Sequence, residues 1–321
     1  MNTPIPASVH SRRGKQALPG RMLRQWDLQL MAIPAVLFIL IFSYVPMYGL
    51  VMAFQDYNIF DGISGSPWVG FKHFDMFFNS PDFWLVMKNT LLISFLKLLF
   101  VFPAPILLAL MFNEVRNVAF KRVIQTVTYL PHFISWVIVA GFVSTILAVD
   151  GGSMNGLLIR LNLITEPVNW LSIPEYFRTI LISAGVWKEI GFGSIVYLAA
   201  IAGVNPHLYE AASIDGASRV KQIFTITIPS IAPVIIIFLI LAIGNILNAG
   251  FEDILVLTNN GNNAILTDVS EVIDTYVYRT GIGEQRYSFA TAAGLFKSLI
   301  NVILLVTANA AARKWGNQSL W

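Results

Sequence analysis

Six apolar runs, each long enough to cross a bilayer as helix, constrain this chain more than any other feature. They cover about 29–54, 88–113, 123–149, 178–204, 231–250 and 288–311. A helix needs about 20 apolar residues to span the hydrocarbon core. The composition agrees, with 56% hydrophobic and only 12% charged residues. The expected fold is all-α, a polytopic membrane protein with six transmembrane helices. A basic tail over 1–28 precedes a membrane domain over 29–321. The first run is longer than the apolar core of a cleaved signal, about 7–15 residues, and reads as an uncleaved span.

Charge sets the expected orientation. With the N-terminus inside, twelve Lys and Arg lie in the tails and inner loops and five in the outer loops. The inner ones include Arg12, Arg13, Lys15, Arg21 and Arg24 in the tail and Arg116, Lys121 and Arg122 between the second and third spans. Thirteen of the 18 acids fall outside. Basic residues stay cytoplasmic, so both termini are expected there. The net charge of +3 is then a topology signal, and no nucleic-acid partner is expected. There is no cysteine, which excludes disulfides and thiol catalysis. The four histidines are too dispersed for a metal site. The outer loops mix Gly, Pro and Asn with aromatics and look like structured caps.

One polar stretch, 205–230, interrupts the apolar chain between the fourth and fifth spans. Asn205 and Pro206 suit a helix N-cap and first position. Leu208, Ala211 and Ala212 then share a face, with Glu210 on another. Gly216 suits a left-handed stop. A second short helix through Val220 and Phe224 is expected to end at Pro229, with the fifth span starting beyond it. A helix that lies on lipid needs large apolar residues. This one offers alanines, so it reads as a dock for another protein.

The spacing here resembles a family. Permease subunits of bacterial ATP-binding-cassette importers carry E-A-A, three residues, Gly, nine residues and I-x-L-P in a cytoplasmic loop. Glu210, Ala211, Ala212, Gly216, Ile226 and Pro229 fall at those spacings, with Ile228 in place of Leu. The stretches WVGFKHFDMFFNSPDFWLVMKNTLL, YLPHFISWVIVAGF and VIDTYVYRTGIGEQRYSFATAAGLFKSLI resemble the oligosaccharide branch, and within it aldouronate- and alginate-type permeases. The resemblance implies a type I importer permease in the bacterial cytoplasmic membrane. It implies a second permease as heterodimer partner, two ATP-binding subunits and an external solute-binding protein. ATP and Mg would sit on those subunits, and this chain would carry no cofactor and no catalysis. The outer-loop G-x-x-x-x-G from Gly151 to Gly156 lacks the Lys of a phosphate-binding loop. The 205–230 insert would be the coupling element.

Candidates for a substrate path follow from polarity. Lys97, Lys188 and Lys297 lie about nine or ten residues into their spans, roughly 13–15 Å deep. Glu189 is the acid expected at that level, which leaves a cationic surplus suited to a carboxylated sugar. The alternative is pairing with acids or carbonyls. Tyr129, His132, Phe133 and Trp136 on the third span, and Trp187 and Tyr197 on the fourth, offer flat rings for pyranose faces. Asn245, Asn248 and Glu252 offer hydroxyl-binding groups near the fifth. Pro46, Pro103, Pro105 and Pro131 are expected to bend their spans. An ion-coupled secondary transporter and a membrane-embedded enzyme are the competing readings. The first expects buried acids and often repeated halves. The second expects a nucleophile–base cluster.

Overall fold

The computed structural model describes residues 26–261, 263–316 and 319–320. The basic tail expected over 1–28 lies almost wholly outside them. The chain divides into two units, Met1–Val51 and Met52–Trp321. All described elements are helical apart from one isolated bridge, Gln55 to Trp68.

Among the described residues, five helices are long and apolar enough to span a membrane: Gln29–Phe54, Phe83–Glu114, Pro174–Ala202, Arg219–Gly244 and Tyr287–Lys314. A sixth is broken, with Val118–Phe133 and Trp136–Ile146 meeting at 106°. The six expected runs are all present. Two differ instructively from expectation.

The third run is not a straight span. Pro131 sits in a short 3₁₀ turn, Leu130–Phe133, and Ser135 caps the helix that follows by accepting from Ile138 N at 3.4 Å. Proline removes one donor and clashes with the preceding turn, and the serine cap supplies a fresh helix start. The fifth span begins earlier than expected. Arg219–Gln222, a π turn at Ile223–Thr227, and Ile228–Gly244 form one continuous helix. Pro229 therefore does not end the second insert helix, and the span ends at Gly244 rather than 250.

The wide turn explains how that proline is accommodated. π turns also occupy Leu40–Tyr44 before Pro46 and Lys97–Val101 before Pro103. In each, the backbone bonds one residue further back, as Phe102 N does to Lys97 O at 3.0 Å. Widening the turn makes room for the ring without stopping the helix.

Within the larger unit, the fourth span is the central helix, with 39% of its most apolar stretch buried against 17–22% for the second, fifth and sixth spans. Ile93, Phe177, Leu181, Ile254 and Val272 form one core cluster. Phe77, Phe83, Leu247, Tyr276 and Phe289 form a second. Ala109, Leu110, Tyr197, Ile201 and Ile231 form a third. The first two clusters join spans to the connections between them. Those connections carry helices at Lys72–Phe78, Ser153–Arg160, Glu252–Leu257 and Ile273–Tyr278, so they are structured caps as expected.

Candidate functional site

Two sites emerge, an exposed insert and a groove among the spans, joined by shared helices. The insert begins where Asn205 Oδ1 accepts from His207 N at 3.0 Å and caps Pro206–Ile214. Gly216 follows with φ +73°, the left-handed conformation that glycine adopts without strain. Ser218 caps the next helix by accepting from Lys221 N.

Three side-chain contacts fix the insert. Tyr209 Oη meets Thr227 Oγ1 at 3.0 Å, Gln222 Nε2 donates to Ser213 Oγ at 3.0 Å, and Arg219 Nη1 donates to Glu114 Oε2 at 2.9 Å. Glu114 is the last residue of the second span. Among the described residues the Glu210 carboxylate bonds only His207, at 2.9 Å, and both are exposed. Leu208, Ile214, Val220 and Phe224 are exposed as well, Ile214 at 87%. The surface offered here is therefore more apolar than the alanine face alone suggests.

The groove runs between the second, fourth and fifth spans as two adjoining cavities of about 200 and 460 Å³. They share Val101, Phe102, Ala242 and Asn245. Lys97, Asn245 and Asn248 line the smaller one, and Phe192, Tyr197 and Phe238 the larger. Five expected path residues are thus placed as follows: Lys97, Asn245, Asn248 and Tyr197 on the groove, and His132 beside it. The His132 ring stacks on Phe192, centroids 4.0 Å apart and 2° from parallel. Trp187, Tyr129 and Glu252 line neither cavity, and Trp187 and Glu252 are exposed.

The three lysines correct the expected cationic surplus. Lys97 Nζ lies 2.5 Å from Asp253 Oδ2. Lys297 Nζ is paired with Asp274 Oδ1. Lys188 Nζ donates to His132 O and Ile134 O, each at 2.7 Å, and lies 5.7 Å from the Trp136 ring centre. Its role is to satisfy carbonyls left open by the break in the third span. His132 Nδ1 meets Glu189 Oε2 at 2.9 Å, so that acid is not the partner of Lys188. A charge within apolar surroundings persists when it is matched, and all three are matched.

Sequence reasoning missed Asp253 and Asp274, because they lie in connections counted as outer loops. The helices Glu252–Leu257 and Ile273–Tyr278 turn back against the spans and bring both acids inward. Gly250 offered a signal. Its φ is +112°, and a Cβ there would overlap both Asp253 and Lys97, so the pair lies directly on its backbone. Among the described residues no His, Cys, Asp and Glu group could hold a metal ion.

A broken third span, a capped polar insert before the fifth, and a groove among the second, fourth and fifth spans describe a transporter's membrane subunit. The family model for the inner membrane component of binding-protein-dependent transport systems matches residues 101–316. The chain belongs to that family. It is 44% identical over 317 residues to the polygalacturonan/rhamnogalacturonan transport system permease protein YteP of Bacillus subtilis, covering 99% of this chain and 97% of that one. It is 45% identical to LplB of the same organism over 294 residues, covering 92% and 91%. A crystal structure of a bacterial ABC transporter that imports the acidic polysaccharide alginate superposes with TM-score 0.85 at 44% identity. It covers 94% of this chain and all of that one. A second, of such a transporter with its alginate pentasaccharide-bound periplasmic protein, superposes equally well, TM-score 0.85.

Proposed function

We propose that this chain is the membrane permease subunit of an ATP-driven importer that carries acidic oligosaccharides, of galacturonate or alginate type, through the bacterial cytoplasmic membrane. One observation carries the mechanism. Arg219, the first residue of the fifth span, bonds Glu114, the last of the second, and both spans wall the groove further along. A push on the insert therefore moves two groove walls together.

The partners follow from this reading. A separate ATPase subunit seats the exposed helix Pro206–Ile214, with Gly216 as its bend. A second, related permease completes the path, and two ATP-binding subunits supply hydrolysis with Mg and ATP, none of it on this chain. An external solute-binding protein, as in the alginate importer, delivers the sugar to the helical caps. Both termini and the insert are then cytoplasmic, as the distribution of Lys and Arg supports. In the groove, Asn245 and Asn248 meet sugar hydroxyls, and Tyr197 and Phe192 meet ring faces. The similarity to YteP and to the alginate importer supports the substrate class.

The test is uptake by proteoliposomes holding the whole complex, with the binding protein outside and ATP inside. Oligogalacturonate or oligoalginate should enter with ATP and not without it. Uptake that needs no ATP and collapses with an ionophore would overturn the reading.

A further inference from the structure

A further cavity, of about 260 Å³, lies in the connection between the fifth and sixth spans and shares no lining residue with the groove. Its wall is built from two unusual backbone segments. Asn259, Asn260 and Gly261 are consecutive left-handed residues, with φ of 53°, 56° and 77°. The second is a π turn, Arg279–Gly283, whose two end residues line the cavity. Both forms are costly or rare and recur where a protein holds a ligand.

The floor is buried and polar. Ser270 is 4% exposed, and its hydroxyl has no hydrogen-bond partner among the described residues. Glu271, 8% exposed, gives one carboxylate oxygen to Arg279 Nε at 2.7 Å and leaves the other without a partner among the described residues. The Thr267 hydroxyl and the Asn260 amide also line the cavity. Tyr278 stands at the rim, 43% exposed, with its ring in reach of a ligand. Buried polar groups are normally bonded, so unpartnered ones around a cavity await a polar occupant.

Charge narrows the occupant. Arg279 is engaged by Glu271 at 2.7 Å, Glu284 at 2.8 Å and Asp82 at 3.5 Å. With Arg286 beside Glu284, three carboxylates stand against two guanidiniums. A uronate carboxylate would be repelled. Hydroxyls would donate to Glu271 and exchange bonds with Ser270, Thr267 and Asn260, and a ring face would rest on Tyr278. The volume falls below the range of about 300–1,000 Å³ typical of drug-sized ligands, which suits one ring.

We infer that this cavity is a subsite for a single neutral glycosyl unit, separate from the groove. The inference rests on the oligosaccharide reading, but the two fail differently. The probes are methyl α-galactoside and methyl α-galacturonoside, titrated against the whole importer in nanodiscs by saturation-transfer NMR. The neutral glycoside should bind, the uronoside more weakly, and S270A, T267V and N260A should each weaken the neutral one about tenfold, near the worth of one hydrogen bond. N248A, in the groove, should leave this binding unchanged. Asn260 is exposed, so N260A tests the site without risk to the core. Absent binding, binding indifferent to these variants, or preference for the uronoside would each overturn the subsite, while ATP-driven oligosaccharide uptake in the same preparation would leave the permease reading standing. Loss of uptake for every oligosaccharide would instead bring down the permease reading.

Discussion

Lys97 and Asp253, 2.5 Å apart, join the middle of the second span to the connection beyond the fifth, at the edge of the groove. Asp253 is almost wholly buried, its side chain 4% exposed. Breaking such a pair from one side leaves a buried charge unmatched, which costs about 3–5 kcal/mol, whereas removing both charges is often neutral. K97M should therefore lower the melting temperature of the purified complex clearly, and K97M/D253L should recover most of the loss. Equal melting of the single and double variants would show that the pair does not hold the two segments. D253N has a different expected effect. It leaves Lys97 cationic on the groove wall, so the ratio of acidic to neutral oligosaccharide uptake should rise.

That pair also marks the limit of what the sequence discloses. The spans, the insert with its Asn205 cap and left-handed Gly216, and the place of Lys97, Asn245 and Asn248 follow from periodicity and local chemistry. Helix starts, turns and apolar stretches are short-range properties. The partners of the lysines are not. Asp253 lies 156 residues from Lys97, and only the folding back of Glu252–Leu257 brings them together. Glu252, its neighbour, was the expected site residue and faces outward. One position on a short helix reverses which acid is inside. The continuity of the fifth span through Pro229 was hidden for a related reason, since a π turn leaves no signature in composition.

The crossing of the third and fourth spans should be intolerant of added volume. A Cβ at Gly191 would overlap the Thr128 carbonyl, which is backbone and cannot rotate away. Three residues earlier on the fourth span, Lys188 holds two carbonyls at the break. G191A should sharply reduce the yield and melting temperature of assembled protein. K188M should cost less, about 1–3 kcal/mol for each carbonyl left unbonded. K188R, which retains donors, should lie between K188M and the parent. Parental melting of G191A would show that the helices do not pack this closely.

The Arg219–Glu114 contact makes the opposite kind of prediction. Both side chains are partly exposed, at 59% and 33%, so the bond adds little to stability, about 0–1 kcal/mol. Its expected value is mechanical. E114Q and R219Q should leave melting nearly unchanged but lower the sugar imported per ATP hydrolysed, by severalfold in proteoliposomes. The exchange E114R/R219E should restore part of that ratio. Unaltered coupling in both single variants would mean that the insert drives the fifth span alone.

The connection between the first and second spans should weaken in mild acid, and His73 sets the window. Its Nε2 contacts Gln55 O at 3.0 Å, while Nδ1 is buried without a hydrogen-bond partner among the described residues. Burial pushes its pKa below the ordinary value of about 6.5, against the opposing pull of Asp56. Above neutral pH the ring is uncharged whether this segment is closed or open. As pH falls through about 6.5, the opened form takes up a proton that the closed form resists, so the closed form loses stability until its own lower pKa is reached. The Lys72 hydrogen bond holds Asp56 below the usual carboxylate range, so that group titrates in a separate, more acidic window. Amide exchange over 55–78, corrected for intrinsic rates, should therefore quicken between pH 7 and pH 5, about the span of one histidine titration. H73Q should flatten that profile, and a flat profile in the parent would show that His73 does not anchor the segment.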